Sequence, residues 1–137
     1  MAIVAADGPP TTPGTIQALC GRATEVIQAA QPLADVVLPV IDYLFVETSQ
    51  TAASGDRREP LVQFDTWTDA ATGGLDVAER LADRLEAILT EPNLRAQGID
   101  AAPVGFLRRR DGTELEDELA AGRRRVTLEI TFSLQRG

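Results

Sequence analysis

Between Thr15 and Gln31 apolar residues recur at three- and four-residue spacing, with Ile16, Leu19, Ala23, Val26, Ile27 and Ala30 on one stripe that Pro32 ends. That spacing predicts a first helix over 15–31, despite Gly21. A second stripe of Leu75, Ala78, Leu81, Ala82, Leu85, Ile88 and Leu89 predicts a helix over 75–90, stopped by Pro92. Its other face carries Asp76, Glu79, Arg80, Asp83, Arg84 and Glu86, with Asp76 and Arg80 one turn apart. Elsewhere the period shortens to two. Residues 42–48 are rich in β-formers (Tyr43, Leu44, Phe45, Val46), and 61–68 put Val62, Phe64 and Thr66 on one face and Gln63, Asp65 and Trp67 on the other. A third strand is expected over 103–110. The cleanest alternation closes the chain over 124–135, where Val126, Leu128, Ile130, Phe132 and Leu134 face one way and Thr127, Glu129, Thr131, Ser133 and Gln135 the other. One core face and one wet face imply an antiparallel sheet.

Three prolines from Ala5 to Pro13 argue against helix or strand there, so residues 1–14 are expected to form a flexible arm ahead of a single α+β domain over 15–137. Residues 32–41 read as a buried connection, 49–60 as a long projecting loop, 93–100 as a loop, and 113–119 as an acidic excursion. The element order is α-β-β-α-β-β. The expected fold is α+β, a four-stranded, mainly antiparallel sheet with two helices packed on one face.

Composition adds mainly exclusions. With 137 residues, 44% of them hydrophobic, the chain is long enough to bury a core of its own. No apolar run approaches the roughly 20 residues that cross a bilayer, and the start lacks a basic leader, so no membrane partner and a cytoplasmic site of synthesis are expected. There is no histidine, which removes the usual general base at neutral pH and the commonest metal ligand. The single cysteine, Cys20, excludes an internal disulfide and Cys/His zinc sites, and reads as a small packed hydrophobe. Gly73-Gly74 reads as a helix-start turn, since no lysine or third glycine completes a phosphate loop. No catalytic residue, cofactor or metal is expected.

The charge of -8 argues against a surface built to coat nucleic acid, although all 13 basic residues are arginine and six of them lie close together. Arg108, Arg109 and Arg110 precede the acidic run Glu114, Glu116, Asp117 and Glu118, and Arg123, Arg124 and Arg125 follow it. If the flanking strands pair, the triplets approach and need acids between them. Those acids come from the run itself, or from a neighbouring subunit, or the triplets meet phosphates, in that order of preference. Arg57, Arg58, Glu59, Arg108, Arg110, Glu114, Glu116, Asp117, Glu118, Arg123 and Arg124 are therefore the candidate subunit or ring contacts.

The run from Pro60 to Thr68 ending near Trp67, the short glycine loop, the helix from Leu75 to Leu89 and the closing strand from Arg125 to Ser133 together resemble the tail-terminator and tail-completion family of long-tailed bacteriophages, over residues 42–135. The resemblance implies a homo-oligomeric, sixfold ring that caps the tail tube and ends its polymerisation. It implies the tail-tube protein on one side and a neck or head-completion protein on the other. DNA at most passes through such a ring, and the location is the virion, assembled in the host cytoplasm. Phe64, Trp67, Leu81 and Leu85, with Leu128, Ile130 and Phe132, would be structural. Other readings are a stopper or adaptor of the same neck, or a small ligand-binding regulatory domain.

Overall fold

The computed structural model describes residues 2–31, 36–46, 59–110 and 122–134. It is α+β. Helices α1 (Ala2–Asp7) and α2 (Ile16–Cys20) lead to a short strand β1 (Ile27–Ala29), then β2 (Val40–Val46) and β3 (Leu61–Asp69). A 3-10 turn (Ala70–Thr72) precedes the long helix α3 (Gly74–Ile88), and α4 (Glu91–Ala96), β4 (Ala101–Arg110) and β5 (Arg123–Leu134) complete the chain. The sheet has five strands in the order β1-β2-β3-β5-β4. β1 runs parallel to β2 and every other pairing is antiparallel.

Among the described residues the expected four-stranded sheet with two helices is thus corrected to a mixed five-stranded sheet with four helices, for local reasons. The helix expected over 15–31 ends after Cys20 because Gly21 takes a left-handed conformation (φ 71°). Its N–H reaches the Ala18 carbonyl and the Arg22 N–H reaches Gln17, closing the helix end. The β-branched pair Val26-Ile27 then joins the sheet beside Ile41. Pro92 does not merely stop α3 but opens α4, where its missing N–H costs nothing in the first turn and Thr90 caps the end. That converts part of the loop expected over 93–100 into helix.

The arm expected over 1–14 is corrected as well. Residues 2–7 are helical and bury Ile3 and Val4. Asp7, whose side chain is only 1% exposed, pairs with Arg84 of α3 and accepts the Ile16 N–H at 2.9 Å. One carboxylate therefore ties α1 to both α2 and α3.

All four helices bury apolar residues in the same layer. Ile16, Leu81, Leu85 and Leu94 meet Ile41, Phe64, Leu128, Ile130 and Phe132 from the sheet. Thr66, on the helix-facing side of β3, donates to the Ala78 carbonyl at 2.7 Å, and Thr68 donates to Gly74 at 2.6 Å. These bonds stitch β3 to the first turns of α3. The entry to α3 depends on Gly73, at φ 110°, where an added Cβ would sit 2.1 Å from the Val77 side chain.

Arg84→Met leaves the Asp7 carboxylate buried with the backbone donor alone. Because Arg84 is itself partly exposed, the expected loss is about 2 kcal/mol rather than the larger cost of breaking a fully buried pair. Denaturant unfolding measures it, and an unchanged midpoint would show that α1 is not held by this pair.

Candidate functional site

The arginine triplets are staggered, not opposed. Arg108 lies beside Leu128 and Arg110 beside Val126, whereas Arg123, Arg124 and Arg125 lie across from Asp69, Thr68 and Trp67 of β3. Arg108 projects toward α3 and binds two of its acids, Asp83 at 2.5 Å and Glu86 at 2.6 Å. Desolvation works against its charge, but the two acids outweigh it and hold its pKa above the ordinary value. Arg109 projects to the other face and meets Glu129 at 2.7 Å. Arg124 donates to the Arg123 carbonyl at 3.0 Å. Acids on α3 and β5 therefore serve Arg108 and Arg109, a solution not legible in the local run of charges. Glu59 is half-buried at the mouth of β3. Arg57, Arg58, Glu114, Glu116, Asp117 and Glu118, and the side chain of Arg110, lie outside the described residues.

On the helix-facing side, past the reach of α3, the sheet ends in an apolar groove of about 440 Å³. Tyr43 and Phe45 from β2, Val62 from β3, Leu134 from β5 and Leu94 and Ile99 from the α4 region line it. Phe45 is 70% exposed and meets Tyr43 edge to face, with ring centres 6.1 Å apart. The volume lies within the range of ligand and side-chain pockets. Phe45 reads in the sequence as a strand former; only the three-dimensional position of the helices shows that nothing covers it among the described residues.

The other face of the sheet holds a polar cluster. Asp42 of β2 and Asp65 of β3 are directly paired across the strands and nearly buried. Trp67 donates its Nε1–H to Asp42 Oδ2 at 3.1 Å, while Asp65 accepts from Thr127 at 2.6 Å and from Gln63 at 3.2 Å. The Arg125 guanidinium lies 5.4 Å from the centre of the Trp67 ring and 3.9 Å from Asp65. Burial pushes the Asp42 carboxyl up to about 7, and the Asp65 charge beside it adds to the rise. The expectation of a wet face opposite the core is corrected here, since Thr127 and Ser133 are also buried. Two aspartates inside adjacent strands, where that residue is disfavoured, are the signal the sequence offered.

Trp67 belongs to this outer face, packed with Val40, Val36 and Leu38, while Phe64, Leu81, Leu85, Leu128, Ile130 and Phe132 lie in the main core. Cys20 is buried at the end of α2, and desolvation raises its thiol to about 11, where it is not a nucleophile near neutral pH. Among the described residues no three His, Cys, Asp or Glu side chains are grouped as a metal ion requires, and no helix is long and apolar enough to cross a membrane.

No family model matches the sequence, and no curated protein is similar to it. The fold is nevertheless shared. A chain in the virion of a native gene transfer agent (GTA) particle superposes with a TM-score of 0.55 at 17% identity, over 98% of this chain and 93% of that one.

Because the pairs made by Arg108 are exposed, Arg108→Ala is expected to change stability by less than about 1 kcal/mol. A larger loss in thermal or denaturant unfolding would make the hairpin charge a determinant of the fold.

Proposed function

We propose that the chain is a structural protein of a phage-like virion and, within it, the tail-terminator subunit. In this reading it forms a ring, sixfold in symmetry, that caps the tail tube, ends its polymerisation and joins the tail to the neck. The observation that carries the proposal is the end-to-end correspondence with a chain of the GTA virion. A match over nearly the full length of both chains concerns the whole subunit, not a recurrent fragment. The strands and helix that resemble the tail-terminator family fall on β2 to β5, the part that builds the sheet and its main helix.

Two surface features suit assembly. The apolar groove with Phe45 at its lip offers area that gains by being covered, and its occupant in this reading is the neighbouring copy in the ring. In this reading the arginines of the last hairpin and Glu59 belong to the contacts to the tube and neck, as do Arg57, Arg58, Glu114, Glu116, Asp117 and Glu118, which lie outside the described residues. A non-enzymatic role fits a chain without histidine, whose one thiol is buried and whose paired carboxyls lie under the sheet's outer face.

Mass photometry of the purified chain, with and without tail tubes, tests this. The expected result is a closed multiple of the 14.7 kDa subunit and tubes that stop growing once it is added. Monomers alone in the presence of tubes contradict the reading, and rings that bind neck proteins while leaving tube growth unchanged point to a stopper or adaptor. Phe45→Asp is expected to leave stability within about 0.5 kcal/mol, as for an exposed substitution, and to shift the chain toward monomer.

A further inference from the structure

The buried acids of the outer face are inequivalent in their hydrogen bonding. Asp65 receives Thr127 and Gln63 and has Arg125 nearby, so its negative charge is supported on several sides. Among the described residues Asp42 receives only the Trp67 indole, on Oδ2, and its buried Oδ1 has no hydrogen-bond donor. An anionic oxygen left that way is costly. The same oxygen carrying a proton becomes a donor, and its cross-strand neighbour Asp65 is an acceptor. Two carboxylates sharing a site in this manner separate into an acid and a base.

Trp67 links this pair to the covering layer. Its indole is held by Asp42, and Val36 and Leu38 pack against it with Val40. Val36, Leu38, Val40 and Asp42 follow one another on a single stretch of chain. Any movement of Asp42 toward water therefore pulls on the segment that covers the ring. We propose that Asp42 and Asp65 share one proton, and that this proton is a latch: while it is bound, Val36 and Leu38 stay down on Trp67, and its loss opens the outer face of the sheet.

The described groups facing Asp42 are few. β1 presents Gln28, uncharged, with its amide nitrogen also lacking a partner. β3 presents Asp65, Trp67 and Gln63, and β5 presents Arg125 and Thr127; Glu129, further along β5, is engaged by Arg109. The covering segment contributes Val36 and Leu38. None of these is a histidine, and the chain has none, so a transition near neutrality is not confused with imidazole titration.

The sense of the linkage follows from the raised carboxyl. Its contribution to stability is fully present below the ordinary aspartate range, and is lost as pH rises through about 7. Opening then exposes Trp67 beside Arg125 and Leu44, the latter already half-exposed.

Trp67 is the only tryptophan, so its fluorescence reports the latch directly. As pH is raised from about 5 to about 9, a range that brackets the raised carboxyl, emission is expected to shift to the red and access to a neutral quencher to rise, with a midpoint near 7. The thermal midpoint should fall over the same interval. Asp42→Asn keeps an oxygen for the indole and offers Asp65 an amide hydrogen, so it should hold the face closed and abolish both changes. A wild-type chain whose emission and quenching stay constant overturns the proposal, as does an Asp42→Asn chain that retains the transition. If that variant fails to fold, infrared difference spectra of the wild type decide. Loss of a protonated-carboxyl band over the same interval supports the shared proton, and its absence overturns it. These measurements use the chain by itself, so their outcome is independent of whether it forms a ring.

Discussion

Among the described residues the helices lie on one side of the sheet only, and the rest of the described structure follows from that constraint. A strand at the centre of a five-stranded sheet has two faces to shield, and β3 has helical cover for one. On the helical side Val62 and Phe64 are closed over by α3 and its neighbours, with Thr66 and Thr68 bonded into the first turns of that helix. On the other side shielding comes from side chains alone: Trp67 packs with Val36 and Leu38 and donates to Asp42, while Asp65 accepts from Thr127 and has Arg125 3.9 Å away. Polar groups can close such a face only when each finds a partner. That requirement makes the buried Asp42 Oδ1, which has no donor among the described residues, informative.

The sequence was most legible where burial is one-sided. The stripe from Leu75 to Leu89 and the alternation of Val126, Leu128, Ile130 and Phe132 each have a single apolar face, and they appear as α3 and β5. It was least legible where a local geometric choice outweighed periodicity. The stripe from Ile16 to Ala30 satisfies a helical pattern, yet Gly21 ends the helix and Val26-Ile27 go to the sheet. The proline run hid α1, because Ile3 and Val4 precede it and their burial depends on Arg84, far along the chain, meeting Asp7. The candidate contacts divide in the same manner. Arg108 and Arg109 stood out as charges, but their partners Asp83, Glu86 and Glu129 come from elements distant in sequence or from the facing strand, which no local pattern reveals. The apolar groove and the Asp42–Asp65 pair depend wholly on which residues the helices fail to cover.

These features locate the functional interest of the molecule on its surfaces. Arg108 and Arg109 are paired with acids of the same chain, so two of the hairpin's six arginines are neutralised internally. Apolar surface remains at the opposite end of the sheet, around Phe45 and Ile99. An open apolar groove is surface that gains by being covered. The fold is shared over nearly its whole length with a chain of the GTA virion, which is the ground of the role proposed above.

The most direct measurement of the proposed role is cryo-electron microscopy of tail-bearing particles assembled with this chain. The expected result is a ring of density at the head-proximal end of the tail tube into which the five-stranded sheet and α3 fit, with the Phe45 groove covered by the adjacent copy. Density for the chain elsewhere in the particle, or intact head-tail junctions from which it is absent, would contradict it.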